Sequence, residues 1–551
     1  MDAFMPLLPL IVVAALVALI VVAGGRLGLR LLVRLVVVAL GGVAAYLLLP
    51  LAVSRVSPAV PWLHLGTAVQ TLQWDWTAGR GWLAATFAAL GAVGIAFYGW
   101  HVLPGVRTGT PTLLGLLLGV LGGVSASGAT AALPLVLSLG VMGMGGLVAE
   151  LSSMPSDADA TLGGIGSLLT ALLLLAGAAV IDPSFARTGT AWIAGCLVLL
   201  FAGPWRMLRG RVPLGVRVAS LAVGVPLGGG YALVWALTRF PGVWLPAAFQ
   251  LLTGLGLAAL VGGALVTVWA QRLPTTIAGA WLAQQGLFLV ALGGRGAALP
   301  VLVHGTATTL LLGLAVAFLA RSARTVEIAV LPGWALPLRR TALVYGVAAA
   351  SVLGFPLTLG YVVITALVAS QPPWLTALVL GALGLLALGL LPPLAACVRG
   401  LARPVATPTP VDEAAVGPVL VAVLALFAGR GAVAVQSFLV TPVLHWSLLA
   451  PLGWLALGIV VVGLAGRRLR RAAPPLWVGG EAVTEEQGWA LPWAGLRRSL
   501  ALPALGALRP PAWPWLGNAR TVLTVIAERY YLSFVLLVVL IVVLLAAGRG
   551  S

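Results

Sequence analysis

Sixteen apolar stretches of about twenty residues follow one another along this chain of 551 residues, and such a chain has one solvent in which to fold. They lie at 5–23, 30–53, 81–103, 111–130, 131–150, 160–182, 189–208, 213–239, 245–270, 275–294, 298–320, 341–370, 373–398, 414–440, 447–466 and 532–548. A hydrocarbon core about 30 Å thick is spanned by a helix rising about 1.5 Å per residue over some twenty residues. The runs are continuous rather than alternating, which excludes a membrane β-barrel. The expected fold is therefore all-α, a polytopic integral membrane protein with about 14–16 transmembrane helices. With 61% hydrophobic and 8% charged residues, the chain lies far outside the range of soluble domains. Its 70 glycines suit close approach of helices in lipid. No basic residue precedes the first apolar run, so that run reads as a span rather than a secretory signal.

The formal net charge is +18, and all 31 basic residues are arginine; the chain has no lysine. The arginines sit at the ends of apolar runs rather than on one soluble face, so nucleic acid is not an expected partner. With sixteen spans, 24 arginines fall on one side of the membrane and 7 on the other. That bias places the N-terminus outside and the long connection 467–531 in the cytoplasm, in a multi-pass protein of the inner (plasma) membrane. Cys196 and Cys397 both lie in apolar runs, which indicates neither a disulfide framework nor a cysteine-ligated centre. No phosphate-binding loop, nucleophile–base pair or metal-ligand spacing occurs. No cofactor and no catalytic site are expected.

Residues 467–531 open with Arg467-Arg468-Leu469-Arg470-Arg471 and carry Trp477, Trp489, Trp493, Trp513 and Trp515 among prolines. Two readings stay open. The segment lies on anionic lipid headgroups with its tryptophans at the interface, or it is a docking arm for a neighbouring subunit. Proline breaks it too often, over too short a length, for an enzyme domain.

The densest set of polar residues inside apolar runs lies between 245 and 320: Gln284 and Gln285, then His304, Thr306, Thr308 and Thr309. Polar groups at membrane depth face a helix bundle or a wet cavity. The segment Ala270-Gln271-Arg272-Leu273-Pro274-Thr275 with Ala283-Gln284-Gln285-Gly286-Leu287 resembles a signature of the antiporter-like membrane subunits. These occur in respiratory complex I (NADH:quinone oxidoreductase), membrane-bound hydrogenases and Mrp cation/proton antiporters. The Gln-x-Gly ending of that signature is kept at Gln284 and Gly286; its Asp-Leu-Lys is Arg272-Leu273-Pro274 here. Leu72-Gln73-Trp74-Asp75, Val303-His304-Gly305-Thr306-Ala307-Thr308, Gly354-Phe355-Pro356-Leu357-Thr358-Leu359-Gly360-Tyr361 and Glu528-Arg529-Tyr530-Tyr531 resemble further family segments, in the family's order.

The resemblance implies two inverted five-helix repeats, at 111–239 and 245–398. They would be preceded by N-terminal helices (1–110) and followed by core helices (399–466), the segment 467–531 and a final helix (532–551). It also implies broken helices near the transport site, with Pro204 and Pro356 as candidate breaks. Family members pass protons along lysine, glutamate and histidine. Here the implied fifth-helix glutamate falls at about Ser138–Leu139, and the implied lysines near Leu227–Gly228, Thr308 and Ile364–Thr365. The family's relay is thus expected to be largely lost, making this a degenerate member. His304 matches the family's histidine and reads either as a pathway group or as a packed hydrogen-bonding partner. With Gln284, Gln285 and Thr308 it forms the candidate ion pathway. Arg206, beside the implied seventh-helix lysine, completes the set; a guanidinium holds charge but does not relay protons. Glu150 reads as an interfacial anchor.

The expected function is that of a structural or coupling subunit in a complex I-like or hydrogenase-like proton-translocating assembly of the respiratory type, with other membrane subunits as partners. Two alternatives stay open: an active proton or cation transporter using His304 and water, and a membrane anchor for a different complex.

Overall fold

A computed structural model describes residues 5–398 apart from short connections, the longest being 49–55, 102–108 and 329–337. The runs 414–440, 447–466 and 532–548 and the segment 467–531 lie outside the described residues, as does the second compact unit, Leu455–Ser551. Within the first unit the chain forms α1 (Leu8–Ala23), α2 (Leu29–Leu48), α3 (Ala78–His101), α4 (Gly109–Gly128), α5 (Ala132–Ser153), α6 (Ala158–Ile181) and α7 (Gly189–Leu208). There follow α8 (Leu214–Ala222), α9 (Val225–Arg239), α10 (Pro246–Val268), α11 (Leu273–Gly293), α12 (Ala298–Ala323), α13 (Arg339–Val352), α14 (Leu359–Ala369) and α15 (Pro373–Val398). Among the described residues, eight of these, α2–α5, α10–α12 and α15, are long and apolar enough to cross a membrane. The protein is an all-α, multi-pass membrane protein.

Two tight helix pairs anchor the bundle. Gly256 and Gly263 of α10 face Gly286 and Gly279 of α11, Gly293 of α11 meets Phe249 and Thr253 of α10, and Gly115 and Gly122 of α4 face Gly145 and Ser138 of α5. A Cβ added at Gly263 would lie 2.6 Å from the Gly279 carbonyl oxygen, and one at Gly286 equally close to that of Gly256. Small residues seven apart return to one side of a helix, so the two backbones touch along their length. α12 lies inside the bundle, its membrane-length stretch buried throughout.

Two of the apolar runs are divided, one of them the run that holds the candidate break Pro356. The run 213–239 is split between Ala222 and Val225, and 341–370 between Val352 and Leu359. Both divisions have the same covalent origin. A proline ring clashes with the carbonyl four residues back and offers that carbonyl no N–H. Counting back four from Pro226 gives Ala222, the last residue of α8; counting back four from Pro356 gives Val352, the last residue of α13. Pro356 itself lies outside the described residues. The expectation for Pro204 is corrected: α7 runs through it to Leu208, and the break in this half lies at Ala222–Val225. In lipid a proline interrupts a helix without ending it when nearby groups take up the freed carbonyl.

α13 stops on a glycine. Phe355 N–H donates to Ala350 O (2.9 Å), Gly354 N–H donates to Ser351 O (3.1 Å), and Gly354 has φ +71°. That left-handed conformation is open to glycine at no steric cost. Gly354→Ala is expected to lower stability by about 1–2 kcal/mol, since an L side chain resists this conformation. The added Cβ would also lie 2.8 Å from Ile364 Cδ1. Thermal unfolding in detergent measures the loss.

A hairpin that the sequence did not announce precedes α3: β1 (Val60–Leu65) pairs antiparallel with β2 (Ala68–Leu72). The segment after it is pinned to the bundle. Trp74 Nε1 donates to Ser125 Oγ (3.1 Å), Trp76 Nε1 donates to Pro6 O, and Asp75 pairs with Arg80 at 3.2 Å.

Candidate functional site

The break between α13 and α14 is where three elements bring their polar side chains together. Ser351 is the penultimate residue of α13 and fully buried. Its Oγ accepts the backbone N–H of Gly360 (3.2 Å), one of the donors left free in the first turn of α14. The same oxygen lies 3.1 Å from Nε2 of His304, which is 2% exposed on α12. A hydroxyl has one proton and two lone pairs. With one lone pair taken by Gly360, Ser351 either donates to a neutral imidazole or accepts from Nε2–H, so the pair can exchange donor and acceptor roles. Gly360 is required here for space, because a Cβ would fall on the Ser351 carbonyl and 2.9 Å from His304 Nε2.

Gln284, mid-way along α11, reaches the same break. Its Nε2 donates to Val352 O at 3.3 Å, the carbonyl that Pro356, lacking an N–H, cannot serve. Its side chain also lies over Gly305, where a Cβ would be 3.1 Å from Oε1. Gln284 Oε1 and Gln285 Oε1 are buried and have no protein partner in the described structure. Adjacent on α11, the two residues point about 100° apart, so these are separate buried acceptors rather than one shared cage.

The other sequence candidates are placed differently. Thr308 donates to His304 O at 2.7 Å, so its proton is spent on its own helix. Thr306 and Thr309 likewise bond backward to Leu302 O and Gly305 O. Arg206 lies in the last turn of α7, and its side chain is not among those described.

Where the resemblance implies a glutamate and a lysine, the chain packs apolar groups. A Cβ at Gly228 of α9 would meet Leu139 Cδ2 and Met142 Sδ of α5 at 2.6 and 2.7 Å. Next to Leu139, Ser138 Oγ donates to Pro134 O (2.7 Å) and lies 2.8 Å from Ser125 Oγ, which in turn accepts from Trp74. Every proton in that short chain has an assigned acceptor. Glu150, read from sequence as an interfacial anchor, is half-buried on α5 and takes a hydrogen bond from Ser220 Oγ of α8 (3.0 Å), two residues before that helix ends. Sequence reasoning passed over Ser351 and Ser220, and met Gly360 only as part of a resembling segment. The one available signal was a hydroxyl in the last turn before a proline-directed break.

No protein-family model matches the chain, and no curated protein matches it by sequence. Among the solved structures that share the fold are chains of two membrane complexes. A chain in the structure of the Mrp complex from Dietzia sp. DQ12-45-1b superposes with a TM-score of 0.66 at 18% identity, over 98% of this chain and 63% of that one. This chain thus spans less than two thirds of that relative's length. A chain of the membrane-bound sulfane sulfur reductase, described as an archaeal respiratory membrane complex, superposes with a TM-score of 0.61 at 16% identity, over 80% of this chain and 95% of that one. At these identities the likeness establishes the fold: the described bundle is built as chains of those two membrane complexes are built.

Proposed function

We propose that this chain is a membrane subunit of a multi-subunit, proton-translocating assembly, in which its own part is structural or coupling. The observation that carries the reading is that chains of two different membrane complexes share its fold, one of them over nearly its whole length. The coupling role is supported by the lack of any lysine and by the apolar packing of Leu139 and Met142 against Gly228. In this proposal redox chemistry and most proton transfer belong to neighbouring subunits. The halves 111–239 and 245–398 act as the two repeats, the N-terminus is outside, and the assembly sits in the plasma membrane.

The test is a mild-detergent pull-down of the full chain from its native membrane, with co-purifying subunits identified by mass spectrometry. Recovery of ion-translocating or redox membrane subunits in fixed ratio is the expected result; recovery of the chain alone defeats the proposal.

One alternative has a specific observation in its favour. The buried His304–Ser351 pair, with Gln284 reaching the same break, is the arrangement an active transporter would use with water. Proton flux in liposomes that survives His304→Leu removes that alternative.

A further inference from the structure

α2 has two sharply different sides. At about 100° per residue, Leu32, Val33, Val36, Leu40, Val43, Ala44 and Leu47 fill the buried side. Arg30, Leu31, Arg34, Leu35, Val38, Gly41, Gly42, Ala45 and Leu48 are exposed on the other. Arg30 and Arg34 stand one turn apart at one end of this outward face, and among the described residues neither forms an ion pair. Beyond them the face is wholly apolar. Gly41 and Gly42, about 10 Å further along the axis, have open space where a Cβ would stand, so the surface dips there below Val38 and Leu48.

A guanidinium on an outward face in a bilayer cannot be solvated by acyl chains and reaches to the headgroup level, where lipid phosphate competes with water for it. The planar fork of arginine pairs with phosphate through two parallel hydrogen bonds. The order along this face, cations first and then an apolar trough, is the order of a phospholipid read from headgroup to tail. Free phosphate would satisfy the arginines and leave the trough unexplained.

We propose that the exposed face of α2 binds an anionic phospholipid, with its phosphate between Arg30 and Arg34 and one acyl chain along Val38, Gly41, Gly42 and Ala45. This goes beyond the subunit reading and does not depend on it.

The experiment uses the full chain with whatever subunits accompany it, in nanodiscs of phosphatidylcholine with and without phosphatidylglycerol, and counts retained lipid by native mass spectrometry. A basic residue at an anionic surface is worth about a fivefold factor, so R30Q/R34Q is expected to hold phosphatidylglycerol roughly 30-fold more weakly. R239Q, at an exposed arginine that ends α9, serves as the control and is expected to match the unmutated chain. R30K/R34K is expected to keep part of the affinity, since lysine retains the charge but not the fork. Equal retention by R30Q/R34Q and the unmutated chain overturns the proposal. So does a double variant that keeps its lipid but sheds a co-purifying subunit, which would assign this face to an acidic protein partner.

Discussion

Gly286→Leu is expected to prevent the bundle from assembling. Gly286 sits where α11 touches the backbone of α10, and a Cβ there would fall on Leu260 and the Gly256 carbonyl. No rotamer relieves this, because the obstacle is main chain rather than a side-chain tip. The two helices would have to separate along a seam shared by Gly256, Gly263, Gly279 and Gly293. Close packing of small residues is a leading source of helix association in lipid, where no hydrophobic effect pushes helices together. Overpacking a single core site costs about 1–3 kcal/mol, and displacing a whole seam is expected to exceed that range. Fluorescence-detected size-exclusion of the tagged chain should show loss of the monodisperse peak. The control is Gly254→Leu, on the same α10 but with open space around it. That variant should behave as the unmutated chain does. Equal behaviour of the two variants would mean that α10 and α11 are not packed as described.

Ser351→Ala is expected to give the second-largest loss, for a different reason. Alanine fits the space but withdraws the oxygen that serves Gly360 N–H and His304 Nε2 together. Each buried group left unpaired costs about 1–3 kcal/mol. The size of the effect reports whether the hydroxyl joins three elements or merely fills space. A double-mutant cycle with His304→Leu isolates the pair: coupling of about 0.5–3 kcal/mol is expected of residues in contact. Purely additive losses would show that His304 and Ser351 do not interact in the folded protein. The same variants, measured for proton flux in liposomes, separate a relay from a structural clasp. A clasp moves stability and leaves flux unchanged.

How far the sequence reached depends on which residue is considered. His304 and Gln284 were legible because an imidazole or an amide inside an apolar run is costly and must be there for a partner. Ser351 was not legible. Hydroxyls are common in membrane helices and usually bond their own backbone, as Thr306, Thr308 and Thr309 do here. Ser351 escapes that fate only because α13 ends beside it and α14 presents a free N–H to it. Thr308 shows the converse, a well-placed candidate whose proton is already committed. Prolines were legible as positions, but which of them divides a helix was not. Pro204 lies within a continuous α7, whereas Pro226 and Pro356 stand four residues past the last residues of α8 and α13.

The sequence by itself determined the solvent and the class, because continuous apolar runs of some twenty residues match the thickness of a bilayer. It also determined what is chemically missing, since a chain without lysine has none to place at any depth. Only the tertiary structure decided which polar atoms meet. The partner of His304 comes from 47 residues away and that of Gln284 from 68. Such pairings depend on how closely the glycine seams let helices approach and on where a freed carbonyl finds its donor, and neither is a property of any local stretch of chain.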